Sequence, residues 1–373
     1  MKILQPAPEN SRVIKYMKQL DGLRAIAVFS VLYTHYLPAP YWLFGIYWGK
    51  FGVKLFFVLS GFLITSILLK CRKEITSRQK TLSSTLYRFY IRRFLRLFPL
   101  FYLIIAITAI VNIPPVRETI GWHISYLSNI YFAIKGSFDG SISHFWSLAV
   151  EEQFYLLWPW FILFSSKKLL LPILVLIILV GPLFRLLATH IGLNEVAVWV
   201  LTPSVLDILG LGSLLAYLKH RKEIFNISQE KIVKVFFIIG IILLLLGKIF
   251  KRIDNNIIFE IVFSDTALAL IFTWLVAEAS IGFKGIVGSI LESQPLVYLG
   301  KISYGIYLIH LFTLYEVSKV FQKLELSFSG SAIVIAIFST IATIIIASVS
   351  WHFLEKPIIE LKRFFNYTDK QPI

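Results

Sequence analysis

The hydrophobic pattern of this chain is a succession of long apolar runs separated by short polar stretches. Several runs reach the roughly 18 residues that an α-helix needs to cross about 30 Å of hydrocarbon. Because a bilayer offers no water, each run must satisfy its own backbone groups and is predicted to be a helix. The pattern predicts an all-α polytopic membrane protein with about ten transmembrane helices. The predicted spans are 20–38, 52–69, 96–113, 145–164, 169–188, 197–218, 235–250, 257–279, 296–318 and 331–353.

Lysine and arginine residues cluster at alternate ends of the predicted spans, and this distribution predicts the orientation. The connection 70–95, together with the helix junction at Arg96, contains nine of them against one acid, Glu74. Since positive charge marks the cytoplasmic side, we place this connection and both termini in the cytoplasm and the connection 114–144 outside. The predicted organisation is a cytoplasmic segment 1–19, a transmembrane domain 20–353 and a cytoplasmic tail 354–373.

The composition agrees with a membrane protein and changes the meaning of the net charge. The 373 residues are 57% hydrophobic and only 16% charged, whereas a soluble domain carries about 25% charged residues. A net charge of +16 would suggest nucleic acid in a soluble protein, but orientation and anionic lipid headgroups explain most of it here. We therefore expect membrane lipids and no nucleic acid as partners. The single cysteine, Cys71, excludes an intrachain disulfide and a cysteine zinc site, and we expect no metal.

The first span contains three ionisable side chains, Asp21, Arg24 and His35. The spacing from Arg24 to His35 places them within about 20° of one helical stripe and about 16 Å apart along the axis. Asp21 lies where it can form an ion pair with Arg24. Ionisable groups are costly inside a span, so this stripe indicates a functional site. The alternative is a histidine at headgroup level and an arginine that reaches towards water.

Three arginines, Arg92, Arg93 and Arg96, cluster where the third predicted span leaves the cytoplasm. Each guanidinium can bind an oxyanion through two hydrogen bonds, so the cluster suits phosphate groups. The alternative is ordinary anchoring of the span by positive charge on its cytoplasmic side.

The fourth span carries two adjacent carboxylates at its outer end, Glu151 and Glu152. Exposing both carboxylates to lipid would cost free energy, so one of them is expected to face the bundle interior. We favour Glu151, which shares a helical face with Tyr155. Carboxylates beside aromatic rings such as Tyr155 and Trp146 suit a carbohydrate, because they combine hydrogen bonds to hydroxyls with stacking on apolar faces. The alternative is an interfacial pair that faces water.

In the ninth span Ser303, Tyr307 and His310 share one face and are further candidates for substrate binding. Asp207, Arg185 and Asp265 also lie within predicted spans. For each of these three residues a structural contact inside the bundle is the simpler interpretation.

Six segments occur in a fixed order along the chain: the spacing of Arg24 and His35, GVKLFFVLSGF at 52–62, RRFLR at 92–96, WSLAVEEQFY at 146–155, SYGIYLIH at 303–310 and EKP at 355–357. Taken together, these segments resemble the membrane acyltransferase 3 family, which includes bacterial O-antigen and peptidoglycan O-acetylases. The likeness covers nearly the whole chain. One departure is Val205, which stands where this family commonly has arginine, while Asp207 remains.

The resemblance implies ten helices in the bacterial inner (cytoplasmic) membrane, an acyl-CoA donor such as acetyl-CoA, and O-acylation of a carbohydrate acceptor. The acceptor would be a cell-envelope polysaccharide or a lipid-linked sugar. By likeness His35 is the catalytic histidine, Arg24 is its motif partner, and the arginines at 92–96 bind the donor. Many relatives append an extracytoplasmic hydrolase-like domain. Because this chain ends about 20 residues after its last predicted span, we expect the membrane domain only.

The predicted mechanism begins with acyl-CoA, whose phosphates bind the arginine cluster while its pantetheine arm enters the bundle along the first span. His35 then acts as general base on a sugar hydroxyl or as a transient acyl acceptor, with His310 as a competing base. Glu151 or Glu152 holds the acceptor from the outer side. The candidate catalytic residues are therefore His35, Arg24, Glu151 and Glu152. Two alternatives are a transporter or flippase of a lipid-linked glycan, and a receptor or scaffold without chemistry.

Overall fold

The fold is all-helical across the residues that the computed structural model of the chain describes, which are 16–41, 43–221, 229–254, 258–324 and 331–365. Most of the predicted segment 1–19 and the end of the tail 354–373 lie outside these residues. The α-helices are α1 (Lys18–Tyr36), α2 (Gly49–Thr76), α3 (Leu82–Ile110), α4 (Val116–Ile124), α5 (Ser128–Lys135), α6 (Phe145–Phe164), α7 (Leu170–His190), α8 (Glu195–Val200), α9 (Leu206–His220), α10 (Gln229–Asp254), α11 (Ile258–Ile281), α12 (Gly285–Leu291), α13 (Gln294–Lys301), α14 (Ser303–Lys323), α15 (Ser331–Ser350) and α16 (Lys356–Glu360). Single 3₁₀ turns lie at Ala39–Tyr41, Leu43–Gly45, Gly140–Ile142, Thr202–Val205 and Leu361–Phe365, and a π-helical turn lies at Trp351–Glu355.

Six of the described helical segments are long and apolar enough to cross a membrane, namely α2, α3, α7, α10, α11 and the stretch Ala332–Phe365 that begins in α15. A seventh candidate is α13 with α14, which meet at a bend of 71°. Three predicted spans are helical but are not among these candidates. α1 carries Asp21 and Arg24, α6 carries Glu151 and Glu152, and α9 has only 15 residues. The all-helical multi-pass membrane class is confirmed, and the number of ten crossings stays a prediction.

The connection 70–95 is not a loop, and here the prediction was wrong. α2 continues to Thr76 and α3 begins at Leu82, so only residues 77–81 separate the two helices. Hydropathy detects the apolar part of a helix, whereas basic turns extend the same helix into the headgroup region. The arginine cluster therefore lies on regular helix, where the spacing of its members decides which of them share a face.

Two predicted spans are interrupted, and one predicted connection is more ordered than expected. The sixth span is divided into α8, a 3₁₀ turn and α9, because Pro203 in the turn cannot donate the backbone bond that would continue a helix. The ninth is divided at Ile302, between α13 and α14. This break places Ser303 in the first turn of α14, buried inside the bundle. The connection 114–144 contains α4 and α5.

α2 is the centre of the bundle, and it packs against α1, α6, α9 and α11. Of its apolar window, 67% is buried inside the protein, against 17% for α10, which has the exposed apolar surface of a lipid-facing helix. The contact between α2 and α9 is close because glycines meet there. A Cβ at Gly61 would collide with the carbonyl of Leu209, and a Cβ at Gly212 with the carbonyl of Val58. This close packing holds the polar residues of α2 in fixed positions.

Candidate active site

α1 carries an ion pair near its first residue and a histidine in its last turn. Arg24 forms the ion pair with Asp21, and Tyr16 donates a hydrogen bond to the other carboxylate oxygen of Asp21 at 2.5 Å. Asp21 is buried, so these two partners satisfy a carboxylate that would otherwise be costly. His35 lies at the opposite end, close to the Tyr47 hydroxyl. One helix therefore presents a guanidinium and an imidazole about 16 Å apart.

Two cavities inside the bundle contain these groups. The larger, of about 470 Å³, includes His35 in its wall, and we name it the histidine cavity. The smaller, of about 200 Å³, includes Arg24, and we name it the arginine cavity. The wall of the histidine cavity also contains Tyr47, Lys50, Lys54, Trp146, Trp199 and Asp265. The wall of the arginine cavity also contains Ser60, Arg93, Arg96, Glu151, Tyr155 and Ser303.

Three side chains, Val53 and Phe57 from α2 and Tyr307 from α14, line both cavities, and we name them the partition. The Tyr307 hydroxyl shares a 2.5 Å hydrogen bond with the hydroxyl of Ser147 in α6, which holds the ring in place. The partition therefore consists of side chains, and the two cavities meet across it.

The three predicted donor-binding arginines are not equivalent. Arg93 and Arg96 line the arginine cavity, and the guanidinium of Arg93 lies 4.8 Å from the centre of the Tyr155 ring. Among the residues that the structure describes, no carboxylate forms an ion pair with Arg96. Arg92 instead donates to the backbone carbonyls of Lys362 and Phe365 at 3.1 and 3.3 Å. At 100° per residue, Arg96 lies between the other two around the helix axis, about 40° from Arg92 and about 60° from Arg93.

Glu151 and Glu152 point in different directions, as expected for adjacent residues of a helix, which lie about 100° apart around its axis. The Ser60 hydroxyl donates to Glu151 at 2.7 Å, and the Tyr155 hydroxyl donates to Ser60 at 2.9 Å. Glu151 thus lines the arginine cavity, whereas Glu152 lines neither of the two cavities. We expected one of these acids to contact an acceptor beside His35. Glu151 instead lines the arginine cavity, on the other side of the partition from His35.

The predicted substrate-binding residues divide between the two cavities. Trp146 lines the histidine cavity, and Tyr155 and Ser303 line the arginine cavity, while Tyr307 belongs to the partition. His310 lines neither, because it is fully buried behind the wall, where it contacts His35 directly.

Three histidines, His35, His144 and His310, lie together at the base of the histidine cavity. The His310 ring centre is 5.0 Å from that of His35 and 4.9 Å from that of His144. His144 Nε2 donates to the backbone carbonyl of Leu308 at 2.9 Å. Despite this proximity, no group of three or more side chains in the described part of the chain has the arrangement of a metal site.

The structural contacts that the sequence predicted for Asp207, Arg185 and Asp265 are buried ion pairs around the histidine cavity, and sequence reasoning missed which residues pair. Lys54 pairs with Asp265, and Arg185 pairs with Asp207 through both terminal nitrogens, at 2.8 and 3.1 Å. Position 205, where the resembling family commonly has arginine, is Val205 in this chain. The guanidinium that pairs with Asp207 comes instead from Arg185 in α7. The only available signal was the presence of these charges within apolar runs. Pairing could not be deduced, because the partners are distant in the chain.

A second missed feature is the mouth of the histidine cavity, which combines a cation with an aromatic ring. The ammonium of Lys50 lies 4.3 Å from the centre of the Trp199 ring, a cation–π contact between α2 and α8. Trp146 lines the same cavity. Two indole rings in one cavity offer flat apolar surfaces of the kind on which a sugar ring stacks.

Comparison with known proteins agrees with the resemblance inferred from the motifs. Residues 17–352 match the model of a family described as an acyltransferase domain. The chain is 32% identical to the peptidoglycan O-acetyltransferase OatA of Listeria monocytogenes, over 95% of this chain and 57% of that protein. It is 29% identical to the O-acetyltransferase OatA of Staphylococcus aureus, over 92% of this chain and 57% of that protein. The chain spans about half the length of these curated relatives. No solved structure matches it.

Proposed function

The chain belongs to this acyltransferase family, and we propose that it transfers an acyl group, acetyl by analogy with its relatives, to a hydroxyl of a cell-wall carbohydrate. One observation carries the proposal. A cavity lined by guanidinium groups and a cavity lined by an imidazole meet at a partition of three side chains. An acyltransferase must bring an activated donor and a hydroxyl acceptor to one base, and this arrangement offers a compartment to each.

We assign the arginine cavity to part of the donor, acyl-CoA, because about 200 Å³ holds only a portion of so large a molecule. Arg96 has no carboxylate partner among the described residues, so an anion that enters this cavity meets a guanidinium that is not already neutralised. Arg93 lies beside it, held over the ring of Tyr155. The negative charge of the acyl-CoA phosphates complements these guanidinium groups. The thioester end of the donor then lies towards the partition. Glu151 acts on this side, since it anchors the chain of hydrogen bonds through Ser60 to Tyr155.

We assign the histidine cavity to the carbohydrate acceptor. Its volume of about 470 Å³ is within the range of small-molecule sites. Trp146 and Trp199 supply stacking surfaces, and His35 supplies the base. Free and lipid-linked sugars share this chemistry, because the recognised part is the sugar ring.

The reaction that follows is a direct transfer between the two compartments. His35 Nε2 removes the proton from the acceptor hydroxyl, and the oxygen bonds to the acyl carbon of the thioester. The carbon–sulfur bond breaks, and the departing thiolate takes the proton from His35. The products are an acylated sugar and CoA with a free thiol, and His35 returns to its neutral form.

We further propose ten crossings of the bacterial inner membrane, with both termini in the cytoplasm. This orientation places the Arg24 end of α1 on the cytoplasmic side, where acyl-CoA is present, and His35 towards the cell wall. Cysteine labelling in a Cys71→Ser background tests it. In intact cells an impermeant reagent should label Ser125→Cys and leave Ser83→Cys unlabelled until the membrane is opened. The reverse pattern would contradict the orientation.

Purified protein incubated with labelled acetyl-CoA and peptidoglycan fragments tests the function. Release of free CoA together with labelled sugar is the expected result, and protein with the substitution His35→Ala is the control. Movement of the glycan across a vesicle membrane without release of CoA would instead support a transporter. Binding without either outcome would support a receptor or scaffold.

A further inference from the structure

His310 lies against His35 in the interior of the bundle, although it lines neither cavity. His310 Nε2 is 3.1 Å from His35 Nδ1, the distance of a hydrogen bond between the two rings. In such a bond one nitrogen donates and the other accepts, so the positions of the protons on the two rings depend on each other.

The backbone decides which nitrogen of His310 carries the proton. His310 Nδ1 is 2.6 Å from the carbonyl oxygen of Tyr307, three residues earlier in α14. A carbonyl oxygen has no proton to donate, so Nδ1 of His310 must carry the hydrogen. An imidazolium buried here would be costly, because no carboxylate in the described part of the chain forms an ion pair with either ring. His310 is therefore neutral, and its Nε2 is an acceptor.

His35 must then donate from Nδ1, which leaves its Nε2 without a hydrogen. His35 lines the histidine cavity, and the Tyr47 hydroxyl lies 3.5 Å from this Nε2. With this tautomer the Tyr47 hydroxyl is the donor in that long contact, and an unprotonated imidazole nitrogen at a substrate cavity is the form that a general base requires. The alternative tautomer would direct an N–H to the same place and could not accept the proton.

We propose that His310 is a positioning residue that holds His35 in the tautomer required for acyl transfer. This proposal rests on the proposed function, in which His35 accepts the proton of the sugar hydroxyl. When Nε2 has taken that proton, His35 is an imidazolium and its Nδ1–H bond to His310 becomes charge-assisted. The bond is therefore stronger during the reaction than in the resting protein. An interaction of this kind raises kcat without changing the binding of either substrate.

Two neighbours limit the size of the effect. The carbonyl of Val31, one turn before His35 in α1, is a second acceptor near its ring, so the loss of His310 weakens the tautomer preference without abolishing it. His144 packs on His310, but its Nε2 is occupied by the carbonyl of Leu308. The contact of His144 with His310 is ring packing, and no hydrogen bond joins these two described rings.

Steady-state kinetics of the purified full chain test the proposal. His310→Phe keeps an aromatic ring and removes the acceptor, so we expect kcat to fall roughly 10- to 100-fold with both KM values unchanged. His310→Gln places an amide oxygen near the position of Nε2 and should recover about a tenfold higher kcat than His310→Phe. Thr343→Val is the matched control. It removes a buried 2.7 Å hydrogen bond to Tyr36, whose hydroxyl also bonds the His310 carbonyl, and it touches neither imidazole.

The outcomes separate this proposal from the proposed function. Near-normal kcat of His310→Phe beside an inactive His35→Ala would overturn the positioning role and leave the function intact. Full turnover of His35→Ala would refute the function itself. Equal losses in His310→Phe, His310→Gln and Thr343→Val would show a structural role only and also overturn the proposal. If His310→Phe does not accumulate as folded protein, His310→Asn replaces it, because its shorter amide cannot reach His35.

Discussion

The arginine cavity and the histidine cavity share a partition but differ in how their buried charges are balanced. In the histidine cavity the buried cations Lys54 and Arg185 are each paired with an aspartate. In the arginine cavity Arg24 is paired, whereas none of the described carboxylates forms an ion pair with Arg96. The ammonium of Lys50 lies on the Trp199 ring at the mouth of the histidine cavity, so the contrast concerns the buried cations, where an unpaired guanidinium attracts an anion more strongly than one already paired with an aspartate. Under the proposed function, this difference is the reason for assigning the phosphate-bearing donor to the arginine cavity and the neutral acceptor to the histidine cavity.

The largest effect should come from removing His35, the proposed general base in the wall of the histidine cavity. His35→Ala is expected to lower acyl transfer by about 10² to 10⁴, the usual contribution of a general base, while donor binding stays normal. Release of CoA in the presence of acceptor measures this. His190→Ala, at the exposed end of α7, is the matched histidine control and should behave as the unmodified chain. Comparable turnover in both variants would remove the reason for assigning chemistry to this cavity.

The next effect should come from the unpaired guanidinium of the arginine cavity. Arg96→Ala is expected to raise the KM for acyl-CoA by roughly tenfold or more, since a hydrogen bond to a charged group is worth about 1.5–3 kcal/mol. The KM for the sugar should not change. Arg92→Ala is the internal comparison, and its effect on the donor should be smaller because Arg92 bonds backbone carbonyls. A larger donor effect for Arg92→Ala would place the phosphates outside the arginine cavity.

A smaller effect should separate the two adjacent carboxylates. Glu151→Gln replaces a charge-assisted bond from Ser60 by a neutral one, a difference of about 1 kcal/mol, so we expect roughly a fivefold lower kcat/KM for acyl-CoA. Glu152→Gln should stay close to the unmodified rate, because Glu152 lines neither cavity. The same assay at fixed acceptor measures both variants. If they cannot be distinguished, the hydrogen-bond chain through Ser60 has no role in donor binding.

The smallest effect should come from the hydroxyl in the partition. Tyr307→Phe removes a short neutral hydrogen bond to the Ser147 hydroxyl, worth about 0.5–1.5 kcal/mol, and a long one of 3.4 Å to the His144 carbonyl, and it keeps the ring that separates the cavities. Transfer should therefore change only slightly. Tyr307→Ala removes the ring and should increase release of CoA without acceptor, because water reaches the thioester. Equal acceptor-independent release in both variants would show that the cavities are not separated at Tyr307.

Much of the site could be predicted from the chain because ionisable residues are conspicuous inside apolar runs. Arg24, His35 and the pair Glu151–Glu152 were selected in this way, and Glu151, which helical spacing favoured, lines a cavity in the structure. Their roles stay predictions. The three arginines were treated as one group, since charge alone does not show which side of a helix faces a cavity. Only the packing of α3 separates Arg92 from its neighbours.

The sequence by itself determined the class of the protein, the positions of most helices and the family, because each depends on local hydropathy or on motif order. The tertiary structure alone decided that there are two cavities, which helix provides the partner of each buried charge, and that His310 contacts His35. These features depend on contacts between helices that are distant in the chain. Such contacts are set by close packing of whole surfaces, as at Gly61 and Gly212, and no local pattern encodes them.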